Sequence, residues 1–159
     1  MRYVIIEQQA HGTYWHDPNP YLAELPRLAP ALPPGARAFA THPEHYDFSA
    51  PRCVKDLRPT ALPPTAGAAD QFQIHFTWPA SQDHVLTVHY YGVTSVQVEA
   101  DGGGVLELSD FNTVRLDELL PHESGCSHEL RLTTGSIRIL CQDLDAHWTL
   151  PSSDRAQSA

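Results

Sequence analysis

Apolar and polar side chains alternate along residues 72–78, where Phe72, Ile74, Phe76 and Trp78 are separated by Gln73, His75 and Thr77. A period of two sends neighbours to opposite faces, so this run predicts a half-buried strand. The pattern resumes from His84 to Tyr91, with Leu86, Val88 and Tyr90 on one face, after a turn at Pro79 to Asp83. Gly92 allows a bend before a strand from Val93 to Ala100, and Asp101-Gly102-Gly103-Gly104 predicts a tight turn into Val105 to Ser109. An odd-length loop there sets Val98 against Leu106 and Val96 against Leu108, keeping the apolar positions on one face. Further on, Glu129 to Thr133 and Ser136 to Leu140 flank Thr134-Gly135, which reads as a hairpin turn. That turn pairs Leu132 with Ile137 and Leu130 with Ile139, sets Arg131 against Arg138, and brings His128 near Cys141.

The first part of the chain is patterned differently. Eleven of the 14 prolines lie in residues 1–64, whereas ten of the 14 valines and isoleucines lie in residues 65–159. Prolines are confined to edges and turns while β-branched residues suit pleated surfaces. Residues 1–64 therefore read as a proline-rich wrapping segment and residues 65–150 as an antiparallel sheet region. Within the former, Arg2 to Glu7 predicts a strand, and Asn19 as cap with Pro20 at the first position predicts a short helix that Pro26 and Pro30 stop or kink. Pro33-Pro34-Gly35 closes that segment, Ala36 to Thr41 reads as a strand, and Cys53 to Leu62 as an edge strand or loop. Residues 63–70 read as a connector. The expected architecture is a single α+β domain over residues 1–150, mainly antiparallel β as a sandwich or partly open barrel, with one short N-terminal helix. The tail, residues 151–159, is expected to be disordered.

Charge narrows the function classes. The chain has a formal net charge of −9, all of it in residues 65–159, where 13 acids face four arginines. Such a region repels phosphate, which argues against nucleic acid as a partner. No apolar run approaches the ~20 residues of a membrane span, and no leader-like stretch opens the chain, so a cytoplasmic location without membrane contact is expected. Three widely spaced cysteines, Cys53, Cys126 and Cys141, fit reduced buried thiols better than a disulfide framework.

No motif identifies an activity. Phosphate-loop, dinucleotide-loop and nucleophile-elbow signatures are all missing, and Gly102-Gly103-Gly104 is better explained as a turn. The ten histidines offer metal candidates in His42 with His45 and in His75 with His89, the latter directly opposed if Ile74 pairs with Tyr90. Pro43 removes the helical two-histidine arrangement from the first pair, and exposed strand histidines are the plainer explanation of the second. Cys126 and His128 share a strand face as a candidate thiol and imidazole, with nothing to depress the thiol. No cofactor is expected.

The run from Phe72 to Trp78, the Leu86 to Val98 segment with the pattern LxVxYxGVxSVxV, Asp117-Glu118-Leu119 and the late Thr134 to Ile139 segment TGSIRI resemble small bacterial β-domains. Some of those look like immunity proteins of polymorphic-toxin systems. The resemblance covers residues 72–142 and implies a non-catalytic binding protein. An acidic surface complements a basic partner and speeds encounter, so Asp101, Glu107, Asp110, Asp143 and Asp145 are the candidate contacts, with Tyr14 and Trp15 as an aromatic anchor. A metal-assisted enzyme using the histidines is the alternative from another class. A homo-oligomeric subunit is the third, since an edge strand and the aromatic loop permit self-association.

Overall fold

The computed structural model describes residues 1–61, 70–79, 84–103 and 108–149. The chain begins with a two-stranded ribbon, β1 (Ile5–Gln8) and β2 (Tyr14–Asp17), followed by helices α1 (Asn19–Leu28) and α2 (Pro34–Ala40). Strands β3 (Arg58–Ala61), β4 (Phe72–Thr77), β5 (His84–Tyr91) and β6 (Ser95–Ala100) come next. Then follow β7 (Val114–His122), β8 (Gly125–Leu132), β9 (Gly135–Cys141) and β10 (Asp143–Trp148). One four-stranded sheet has the order β10-β5-β4-β3 and the other β6-β9-β8-β7, with every pair antiparallel.

The sheets pack face to face as a sandwich, and their buried residues form one core. Ile74, Phe76, Leu86, Val88 and Tyr90 come from the first sheet, and Leu119, Leu130, Ile137 and Ile139 from the second. Periodicity placed β4 and β5 correctly, and burying their alternate apolar residues is the main force holding the layers together. The pairing between them is Ile74 with Val88, two residues away from the expected register. The β8–β9 hairpin differs in the same way: Leu130 faces Ile137, Arg131 faces Ser136 and Arg138 faces Glu129. This register exchanges a like-charge pair for an opposite-charge one while keeping the apolar face inward, which decides against the two-residue turn.

Among the described residues there are two α-helices where the prolines suggested one. Helix α1 begins at Asn19 behind Pro18, and Asp17, not Asn19, supplies the side-chain acceptor for the Asn19 N–H at 2.9 Å. It runs past Pro26, because that residue lies on the exposed face and the carbonyl it leaves unbonded belongs to exposed Leu22. Its inner face carries Tyr21 and Leu25, with buried Ala29 just past its end, and the Tyr21 hydroxyl donates to the Leu119 carbonyl at 2.7 Å.

Residues 34–40 are helical, not the strand expected from Ala36 to Thr41. Pro34 suits a first position, and the Asp143 carboxylate accepts the Gly35 and Ala36 N–H groups at 3.1 and 2.9 Å, capping α2 from β10. Glycine is required at 35 because a Cβ there would lie 1.9 Å from the Leu144 carbonyl oxygen. Helix α2 contacts both β10 and β7, edge strands of the two sheets, and so closes one side of the sandwich with Ala36, Phe39 and Ala40.

Two further expectations changed. Leu108–Phe111 is a 3-10 turn, and β6 pairs with β9, so no strand extends through Ser109. The pairing proposed for Leu106 lies outside the described residues, as do residues 63–69 of the connector expected over 63–70, residues 80–83 of the turn expected over 79–83, and the tail.

Candidate functional site: a sealed histidine–aspartate network and an exposed aromatic ribbon

The chemically richest cluster lies in the core. Asp117 sits mid-β7 and points between the sheets, where His45 Nε2 lies 2.9 and 3.0 Å from its two carboxylate oxygens and His128 Nε2 lies 2.9 Å from Oδ2. An ionised carboxylate only accepts, so both imidazoles carry hydrogen on Nε2 and donate. His128 Nδ1 is then a lone pair, and the Tyr90 hydroxyl from the opposite sheet donates to it at 2.9 Å. Tyr46 donates to the Asp117 carbonyl at 3.2 Å, and Phe39 of α2 meets the His45 ring edge-to-face at 4.3 Å.

Burial alone raises the Asp117 pKa, but the His45 and His128 imidazoles outweigh it and hold the carboxyl well below the usual carboxylate range. Burial likewise pushes the Tyr90 and Tyr46 hydroxyls far above their ordinary value, keeping them protonated donors. The arrangement has the parts of an acid–base relay, yet His45, Tyr90, Asp117 and His128 are each at most 1% exposed. Two clefts flank it: one between α2 and β10, about 200 Å³ and lined by Phe39, His42, Asp145 and Trp148, and one beside Leu25, His42 and Tyr46. The rings of Phe39 and Tyr46 border these clefts while themselves packing on His45.

The candidate metal histidines are not assembled. His45 turns into the core, whereas His42 stays half-buried and accepts the Glu44 N–H on Nδ1 at 3.2 Å. His75 pairs with Thr87 and His89 with Gln73, so the two are diagonal instead of opposed. Among the described residues, no three His, Cys, Asp or Glu side chains are arranged to hold a metal ion. Cys126 lies against Cys141, and His128 is engaged with Tyr90 and Asp117, so the thiol and imidazole do not act as a pair.

The acids fall into two groups. Asp101 is held by Arg131 in a two-point contact at 2.9 and 2.5 Å, and its N–H donates to the Thr134 carbonyl. Asp110 lies beside it, since the Thr134 hydroxyl donates to the Asp110 carbonyl. Asp143 and Asp145 share one face of β10 beyond the far end of β9, whose seven residues span about 20 Å at ~3.3 Å each. Asp143 is committed to capping α2, while Asp145 is exposed. Glu107 lies outside the described residues.

Tyr14 and Trp15 separate to opposite faces of the ribbon. Tyr14 points inward beneath the Arg115 guanidinium, 4.8 Å from the ring centroid, on the face it shares with His16, Ile6 and Gln8. Burial, then Lys55 and Arg115, lower the His16 pKa. The outward face carries Ile5, Glu7, Trp15 and Asp17, paired Ile5 with Asp17 and Glu7 with Trp15. Trp15 is 58% exposed and Ile5 38%.

Sequence reading did not find the core network. Its members come from four separate segments, and the one local signal is Asp117-Glu118 set between Leu116 and Leu119-Leu120. Among the described residues, no helix is long and apolar enough to cross a membrane. The chain matches no protein-family profile, and no curated protein sequence is significantly similar to it.

Proposed function

We propose that the chain is a non-enzymatic, acidic protein-binding module, an immunity-like inhibitor that contacts a basic partner through the outward face of the β1–β2 ribbon. The observation that carries this reading is Trp15, 58% exposed next to Ile5 and bordered by Glu7 and Asp17. A Trp presented on a strand that is clamped from beneath, by Arg115 on Tyr14 and by Ile6 against the core, loses little freedom on binding. Indole rings anchor interface centres, and carboxylates around one select a partner bearing Lys or Arg. Sealing of the Asp117 network adds support, since the groups best suited to proton transfer are turned away from solvent. The net charge of −9 favours rapid encounter with a cationic protein.

The test is capture by the immobilised chain from a lysate of its own source, at low and high salt, with wild type beside Trp15→Ala. A basic protein held by wild type at low salt, released at high salt and not held by the variant is the expected result. Equal capture by both chains removes the ribbon face from the interaction, and capture of no basic protein removes the reading.

Self-association is the second reading, favoured by Val96 and Val98 on β6, 40% and 46% exposed on the face whose neighbours Ile139 and Ile137 are buried. Sedimentation of wild type against a Val96→Thr, Val98→Thr double variant distinguishes it: a dimer that dissociates in the variant supports it, and a wild-type monomer excludes it.

A further inference from the structure

We propose that Cys126 and Cys141 are a disulfide-forming site, oxidised by an external disulfide of the glutathione class. The two residues are direct cross-strand partners on β8 and β9, with side chains on the same inward face. Antiparallel partners hold their Cα atoms about 4.5–5.5 Å apart, inside the ~4.4–6.8 Å window that disulfides span. Their sulfurs already lie 3.5 Å apart, so the bond of about 2.05 Å needs side-chain rotation and no change of register. Cys53 is the third free thiol; it lies in the segment leading to β3, and burial pushes it up to about 11. Within the pair, either thiol can donate the hydrogen bond that joins the two sulfurs, so either cysteine can supply the attacking thiolate.

The exchange balances in two steps. The thiolate of one of the two cysteines attacks one sulfur of the external disulfide, whose S–S bond breaks to release one thiolate and leave a mixed disulfide on that cysteine. The other cysteine then loses its proton and attacks the protein sulfur of the mixed disulfide, forming the internal bond and releasing the second thiolate. The two cysteines lose two protons and two electrons, and the external disulfide becomes two thiols. Both sulfurs are fully buried in the native fold, so the exchange takes place as β8 and β9 come together during folding. The bond joins positions 15 residues apart, and by restricting the unfolded chain it raises the thermal midpoint by about 5–10 °C.

The test refolds the reduced full chain in a glutathione redox buffer, alkylates the remaining thiols and maps the peptides. One alkylated residue, Cys53, together with a linked Cys126–Cys141 peptide two hydrogen atoms lighter than its reduced form is the expected result. A Cys53→Ala variant gives the same link, which keeps the experiment decisive if Cys126→Ser or Cys141→Ser fails to fold. Three alkylated thiols after oxidative refolding, or a link that includes Cys53, overturns the proposal.

Discussion

Glu118 and Glu129 face each other across the β7–β8 pair, two carboxylates at directly opposed positions. Like charges so placed are unfavourable, and the amino-terminal residues resolve the conflict. Glu118 accepts the N–H groups of Arg2, Tyr3 and Val4 at 2.6, 2.6 and 2.8 Å, while Glu129 takes the Met1 ammonium at 2.6 Å and stands opposite Arg138. The acid pair is therefore the dock for residues 1–4, which accounts for their lying ahead of β1 instead of continuing it.

Replacing Glu118 by Ala strands three backbone donors in a largely buried site. The expected loss is about 2–4 kcal/mol, since a buried unsatisfied donor costs ~1–3 kcal/mol and partial rehydration recovers some of it. Urea unfolding checks it, and Glu118→Gln, which keeps one acceptor oxygen, loses less.

Acid stability depends on Asp117. Its folded pKa lies below the unfolded value of about 3.9, so its contribution is complete above roughly pH 4 and is lost as pH falls towards the folded value. Stability measured by urea titration therefore declines below about pH 4. In Asp117→Asn that part of the decline is absent, and at neutral pH the variant is about 3 kcal/mol less stable because both imidazoles lose a charged acceptor.

The alkaline side has the opposite sign. Burial raises Cys53 to about 11 and holds Tyr46 and Tyr90 well above their ordinary value, so these groups stabilise the fold fully below their unfolded values and lose that effect as pH rises through the folded ones. Cys53→Ala flattens the loss between about pH 8.5 and 11. Tyr90→Phe leaves His128 Nδ1 without its donor and costs about 1–2 kcal/mol near neutrality. Stability curves of the two variants between neutral and alkaline pH check both.

Gly35→Ala tests how α2 is seated. The added methyl meets the Leu144 carbonyl and the Asp145 carboxylate, so the helix must move off β10 and lose its Asp143 cap. The expected destabilisation is about 2–3 kcal/mol. Hydrogen exchange confirms the site if the amides of Gly35 and Ala36 lose protection before those of β4 and β5.

What the sequence made legible was the alternation that fixes β4, β5 and β9, because each buries one face and the period-two pattern records it. The helix at Ala36 was not legible because its cap, Asp143, lies 107 residues away from Ala36 and leaves no local signature. The strand from Asp143 to Trp148 was legible in principle, with Leu144, Ala146 and Trp148 alternating against Asp143, Asp145 and His147. Strand β7 was obscured because Asp117 and Glu118 interrupt its apolar pattern, and only the tertiary fold supplies the imidazoles and backbone donors that let both be buried. The hairpin register was decidable from charge, since setting Arg131 against Arg138 was the unfavourable choice and Glu129 stood two residues away. For the site, the sequence marked Trp15 but could not separate it from Tyr14, because that distinction needed the ribbon's register.

Binding through the ribbon is tested most directly by measuring the affinity of the captured basic partner for four chains side by side: wild type, Trp15→Ala, Glu7→Gln, and an Asp101→Asn, Asp110→Asn double variant. The account predicts that Trp15→Ala weakens binding by a factor of about 30 or more, as expected for an indole anchor worth ~2 kcal/mol or more. It predicts a smaller, salt-dependent loss for Glu7→Gln and little change for the Asp101 and Asp110 pair, neither of which belongs to the ribbon. Unchanged affinity in Trp15→Ala, with the loss appearing instead in the Asp101 and Asp110 variant, would contradict it.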